Sequence, residues 1–294
     1  RAGHDIYMDT RVRLNGGYAA SVRQVRVLGA GQVNVENGTL MTDSLTVKTG
    51  GTLSLKNVQA GVHVKTLRLE SGSTLSWDRG KVEINGGVFD KADLGLNLGV
   101  LADTSALVLM NGAMARVPGV TTVGSQPTGR GKIVVSGLNS NYSTGKLNVG
   151  LIGEGVIMLS GGGSVSTGLN GWPGPQTTLG QFGVLSGEGT VQGTLESRGR
   201  VKPGSPTGTL VVTGTYRQLP LNSPLPAGVL EIEYADAVSG QYDRLQVAGS
   251  TNLAGVLQVV TIPASNPSDP VESRAAPVLV APDRDGPGHA VGTA

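Results

Sequence analysis

Two pairs of carboxylates lie close enough in the chain to suggest acid–base chemistry: Asp78 with Glu83, and Asp90 with Asp93. Hydrolysis of a glycosidic bond needs two carboxyl groups held across the scissile bond. Asp78 is flanked by Trp77 and Arg79, an aromatic face and a guanidinium that suit a sugar. Against this stands the usual fate of carboxylates, which is solvation at the outside of strand corners. The three histidines, His4, His63 and His289, give no pair at ligand spacing, and His63 between Val62 and Val64 points outward in an alternating strand. No Gly-x-Ser-x-Gly elbow occurs, and the glycine runs lack the Lys-Ser/Thr of a phosphate loop. Cysteine is absent, which excludes disulfides and thiolate metal sites. No catalytic residue, metal ligand or cofactor is therefore expected. The side chains singled out for ligand contact are Trp77, Asp78, Arg79, Tyr142 and Trp172. Tyr142 and Trp172 lie in or beside irregular segments, where they either meet a protein or glycan partner or pack a loop onto the body.

The elements that must position these residues are strands. Alternation of apolar and polar residues recurs in Val25-Arg26-Val27, Val33-Asn34-Val35, Leu45-Thr46-Val47, Leu53-Ser54-Leu55, Leu67-Arg68-Leu69, Val82-Glu83-Ile84 and Leu96-Asn97-Leu98. Helical spacing does not persist beyond a turn or two. Leu45 to Ser54 repeats as Leu67 to Ser76, an offset of 22 residues, and Val25 precedes the first copy by 20. The pair Leu107 to Gly112 and Ile157 to Gly162 repeats the theme at 50, the length of two longer coils. Such a unit is one coil of a β-solenoid, whose inward Leu and Val are hidden only when coils stack. The composition agrees: 47 glycines and 3 % aromatics fit a narrow, repeated core better than a wide one. Asn37, Asn57, Asn85 and Asn111 recur near corners, where they either stack as ladders or simply occupy turns.

A formal charge of +2 with 15 % charged residues argues against a nucleic-acid partner. Arg11, Arg13, Arg23 and Arg26 read as a solvated strand face. No run of about 20 apolar residues exists, so no membrane insertion by this segment is expected. The chain divides into an irregular or capping segment over 1–24, coils over 25–185, a distinctive C-terminal part over 186–260, and a Pro-rich flexible tail over 261–294. Residues 116–131 and 168–183, rich in Pro and Gly, look like excursions. Glu231 and Glu233 are expected to face solvent, and Asp243 to start a turn.

The segment from Leu185 to Leu257 carries a family resemblance. Gly187-Glu188-Gly189-Thr190-Val191 leads to Val201-Lys202-Pro203-Gly204-Ser205, then to Gly208-Thr209-Leu210-Val211-Val212-Thr213-Gly214-Thr215-Tyr216 and Asp243-Arg244-Leu245-Gln246-Val247-Ala248-Gly249. This order resembles the C-terminal part of autotransporter passenger domains. Ile133 to Gly137, Leu147 to Gly150 and Val156 to Val165 are similar to that family's coils. The resemblance implies an all-β chain forming an elongated, right-handed, single-stranded parallel β-helix with a hairpin-like C-terminal cap. It also implies a translocator β-barrel in the same precursor, passage through periplasm and outer membrane, and residence on or outside a Gram-negative cell. The function it implies is adhesin-like contact with a surface protein or glycan of host or bacterium. A polysaccharide-degrading β-helix enzyme and a stalk or folding segment for an upstream effector are the competing expectations.

Overall fold

An alternating strand turns successive side chains to opposite sides. Each short segment of this chain therefore has one apolar side that its own coil cannot cover. The computed structural model describes residues 5–8, 11–15, 18–93, 95–171, 176–222, 224–236 and 241–262. It covers the apolar sides by stacking parallel strands through about ten turns of a β-solenoid. The helical structure among the described residues is a single 3-10 turn, Leu169–Gly171.

Three faces run along the stack. On the first, Leu40, Val62, Val82, Leu107, Ile133, Ile157, Leu185, Val201 and Leu230 follow one another in register from coil to coil. None of them is more than 2 % exposed, so the column is continuous core. On the second face the column is Val25, Leu45, Leu67, Phe89, Ala115, Tyr142, Val165, Val191, Val212 and Val247. Small Ala115 lies between the two rings, which keeps the volume per coil nearly constant. The third face has two runs. Leu14, Val35, Leu55 and Trp77 form the first, and Leu98, Val123, Val149 and Leu179 begin the second. Long strands serve two faces: Gly61–Leu69 and Gly80–Lys91 pair across a register shift between Val64 and Thr66. The sequence offset of 50 resolves into coils of 26 and 24 residues, Leu107 to Ile133 to Ile157.

Corners demand backbone freedom. At Gly150 φ is +67°, and a Cβ there would sit 2.0 Å from Gly183 N in the next coil. Only glycine meets both conditions. The asparagines do stack. Asn37 Nδ2 donates to Asn15 Oδ1 (3.1 Å), Asn57 Nδ2 to Asn37 Oδ1 (2.5 Å), and Asn111 Nδ2 to Asn85 Oδ1 (2.9 Å).

Several expectations change. The supposed excursion over 116–131 is mostly strand, Met114–Val123 and Arg130–Ser136. Pro118 is accommodated at the register shift between Val117 and Val120, where the strand passes from one face to the next. The segment over 1–24, expected to be irregular or to cap the first coil, supplies strands Asp5–Met8 and Arg11–Leu14, paired in parallel with the following coil. Residues 168–183 contain the strand Thr177–Leu179, while Trp172 and its neighbouring prolines lie outside the described residues, as does the expected tail beyond 262. The C-terminal hairpin is present: Val229–Asp236 pairs antiparallel with Gln241–Tyr242. It projects from a coil instead of ending the stack, because Val256–Thr261 continues the parallel ladder beyond it.

Truncating one member of a column leaves a void bounded by the coils above and below. Leu67→Ala is expected to cost about 3 kcal/mol in urea denaturation. Leu138→Ala, at a side chain 73 % exposed, is expected to cost less than about 0.5 kcal/mol.

Candidate functional site

Three of the four carboxylates that could have served hydrolysis are engaged with separate partners. Asp78 stands at the corner after the third face and pairs with Lys56 at 2.8 Å. Glu83 points outward on the first face, 2.8 Å from Lys81 and 3.9 Å from His63 Nδ1. Asp93 accepts from Ser71 Oγ (2.8 Å) and Gly72 N (2.9 Å), and these bonds hold it below the usual carboxylate range. Asp90 lies in register between Arg68 and Arg116. His63 is half-buried on the outer side, as its alternation predicts, and burial lowers its pKa. His4 and His289 lie outside the described residues. Among the described residues, no three His, Asp or Glu side chains are grouped to hold a metal ion.

The side chains of Trp77, Asp78 and Arg79 do not lie together on one face. Trp77 is 3 % exposed, stacked over Leu55, with its indole N–H donating to Gly80 O at 3.2 Å. Alternation puts Asp78 on the other side, toward Lys56, and Arg79 turns to Asp103 at 2.9 Å. Tyr142 is the clearest correction. Placed by its sequence beside an irregular segment, to meet a partner or to pack a loop, it is instead fully buried in the second-face column of a regular strand. Its hydroxyl lies 2.5 Å from Thr121 Oγ1, whose other neighbour Thr144 Oγ1 is at 3.0 Å. A polar tip satisfied inside the core is what permits a tyrosine there; burial drives its pKa well above the ordinary phenol value.

Two surface features went unforeseen. The first is an apolar corner. Leu101, Leu151, Ile152 and Phe182 are 39 to 51 % exposed. They belong to the turns that carry the chain from the third face back to the first, on coils joined by Gly153 N to Gly124 O (3.1 Å) and Phe182 N to Gly150 O (3.0 Å). Strand periodicity gives no signal for them, because they lie in the turns. The second is a cavity of about 290 Å³ on the third face, lined by Leu75, Trp77, Asp78, Lys91, Leu96 and Asn97 among others.

The C-terminal acids also differ from expectation. Glu231 and Glu233 are 6 % and 8 % exposed, not solvated. Lys202 from the preceding coil reaches Glu233 at 2.8 Å and Glu231 at 3.1 Å, and Arg200 pairs with Glu231 as well. Burial opposes ionisation of Glu231, but bonds from Lys202 and Arg200 prevail and lower its pKa. Asp243, expected merely to start a turn, is 3 % exposed. Its carboxyl accepts from Glu233 N (2.8 Å) and Gly208 N (3.1 Å), which ties the hairpin to the loop after Pro203. Burial, with help from the nearby Glu233 charge, pushes Asp243 up to about 7.

Family models, curated proteins and solved structures were all compared with this chain, and none matches.

Because the folded state raises the Asp243 pKa, it binds a proton that the unfolded chain releases. Stability is therefore expected to rise as pH falls from about 8 toward about 4, by on the order of 1–2 kcal/mol. Asp243→Asn is expected to flatten that window in urea titrations made at several pH values. A steep window retained in the variant would assign the effect to another group.

Proposed function

We propose that this chain is a non-catalytic contact module, displayed on or released from the surface of a Gram-negative bacterium in the manner of an autotransporter passenger. The observation that carries the contact role is the apolar corner. Leu101, Leu151, Ile152 and Phe182 expose aliphatic and aromatic surface along one edge of the stack, in turns that flank the buried columns of Leu107, Val123, Ile133, Val149, Ile157, Leu179 and Leu185. Exposed apolar surface held on a rigid scaffold commonly marks an interaction site. Asp78, Glu83 and Asp93 are each tied up individually, in ion pairs or in hydrogen bonds from hydroxyl and backbone donors, which favours binding over bond chemistry. Surface display rests on the resemblance of residues 185–257, together with a fold of the kind that resemblance implies. The partner is a protein or glycan of a host or bacterial surface, and the barrel that would export the chain belongs to the same precursor.

The purified chain is expected to bind selectively in a screen of glycans and extracellular-matrix proteins, and to leave polysaccharides intact in a parallel degradation assay. Ile152→Ser with Phe182→Ser is expected to weaken that binding about tenfold or more while leaving the urea midpoint within error. Polysaccharide cleavage by the unmodified chain would reverse the ranking in favour of an enzyme.

A further inference from the structure

The cavity on the third face occupies a break in the backbone ladder. Arg11–Leu14, Gln32–Val35, Thr52–Leu55 and Thr74–Trp77 form one four-stranded run. Leu96–Leu98, in the next coil, pairs onward with residues 121–123 but not back with Thr74–Trp77. The same two coils remain joined elsewhere: residues 61–64 pair with 81–84 and, after a register shift at the chain's bend, residues 66–69 pair with 88–91. The opening is thus confined to one face.

Its banks carry ladder groups without a ladder. Thr74 N and Asp78 N donate to Gly51 O (2.9 Å) and Leu55 O (3.0 Å), so these alternate residues face the preceding coil. In a parallel strand the intervening Leu75 and Trp77 then turn their N–H and C=O toward the opening. On the opposite bank Leu98 O accepts from Gly124 N at 2.9 Å, which leaves Asn97 turned back toward Leu75 and Trp77. Unpaired strand edges of this kind are templates for another extended chain.

Charge narrows the occupant. Asp78 at the rim is already neutralised by Lys56 at 2.8 Å. Lys91, half-buried in the lining, has no carboxylate within ion-pair distance among the described residues, and burial lowers its pKa. Asp93, the acid whose field reaches it, is spent on Ser71 and Gly72. The walls contributed by Leu75, Trp77 and Leu96 are apolar. A sugar offers hydroxyls without strand spacing, whereas a peptide backbone offers alternating donors and acceptors that match both banks. At about 290 Å³ the space lies near the lower end of ligand pockets and suits a few residues of extended chain.

We propose that this opening binds an extended peptide segment carrying an acidic side chain, with Leu75, Trp77 and Asn97 supplying ladder hydrogen bonds and Lys91 supplying the ion pair. The site does not depend on where the protein resides or on the apolar corner.

The test uses the full chain with Trp172→Phe, which leaves Trp77 as the lone indole reporter. The probe is a synthetic pentapeptide alternating threonine and valine around a central glutamate, blocked at both ends. Saturable change in Trp77 fluorescence is expected, with slowed hydrogen exchange at the Leu75, Trp77 and Asn97 amides. Lys91→Glu is expected to weaken binding by about tenfold or more, and Lys91→Gln by less. Methylating alternate peptide nitrogens is expected to abolish binding. Thermal melts of both Lys91 variants check that the stack is intact. The proposal is overturned if the pentapeptide does not bind at millimolar concentration, if its methylated form binds equally well, or if a uronate oligosaccharide binds in its place. Strong protection of the Leu75 and Trp77 amides in the free chain would overturn it too, since the ladder would then be closed on itself.

Discussion

A coil of some twenty residues has no interior of its own. Its inward Leu and Val are covered only by the equivalent residues of the coils above and below, and those coils are held in place by backbone hydrogen bonds about 4.8 Å apart. Register and burial are therefore one constraint. A slip of one residue would turn Leu67 or Val82 outward and bring Arg68 or Glu83 into the column. Every other feature of the molecule depends on that lock. The asparagine ladders and the cross-coil pairs Lys56–Asp78 and Arg130–Glu154 run between residues already matched by the core. They decorate a register that apolar burial sets, since exposed ion pairs contribute little individually.

The lock also explains where polar groups enter the interior. Tyr142 occupies a place that aliphatic residues fill in neighbouring coils, and it does so because Thr121, itself bonded to Thr144, meets its hydroxyl. Gln218 lies in the third-face column beneath Ser197 and donates to Gly228 O (2.9 Å) and Val256 O (2.8 Å). Near the C-terminal end, Asp243 and the glutamates at 231 and 233 replace apolar closure with charge and backbone donors. That region is where an ionisable group comes to govern how the hairpin is held.

The surface follows from the same economy of shape. Strand faces are flat and regular, so distinctive chemistry collects where regularity stops. The turns between the third and first faces expose Leu101, Leu151, Ile152 and Phe182. The break between Thr74–Trp77 and Leu96–Leu98 leaves edges and a half-buried cation, Lys91. Both features arise at coil boundaries, which is where a solenoid can vary without losing its column.

Alternation and the 20- and 22-residue offsets made the stack legible from residues alone, because a period of two and a recurring coil length are local properties of the chain. The sequence likewise indicated that His63 faces outward and that asparagines recur at matching corners. It could not place Trp77 or Tyr142, since a bulky ring in an alternating strand looks the same whether its neighbours in space leave room for it or not. It misjudged Pro118 for a related reason: a proline reads as a break until the bend that accommodates it is visible. Nor could it show that Glu231, Glu233 and Asp243 are covered, or that one face of one coil fails to pair. Those facts depend on which residues from coils 20 to 35 positions away arrive alongside, and proximity of that kind is created only when the chain is stacked.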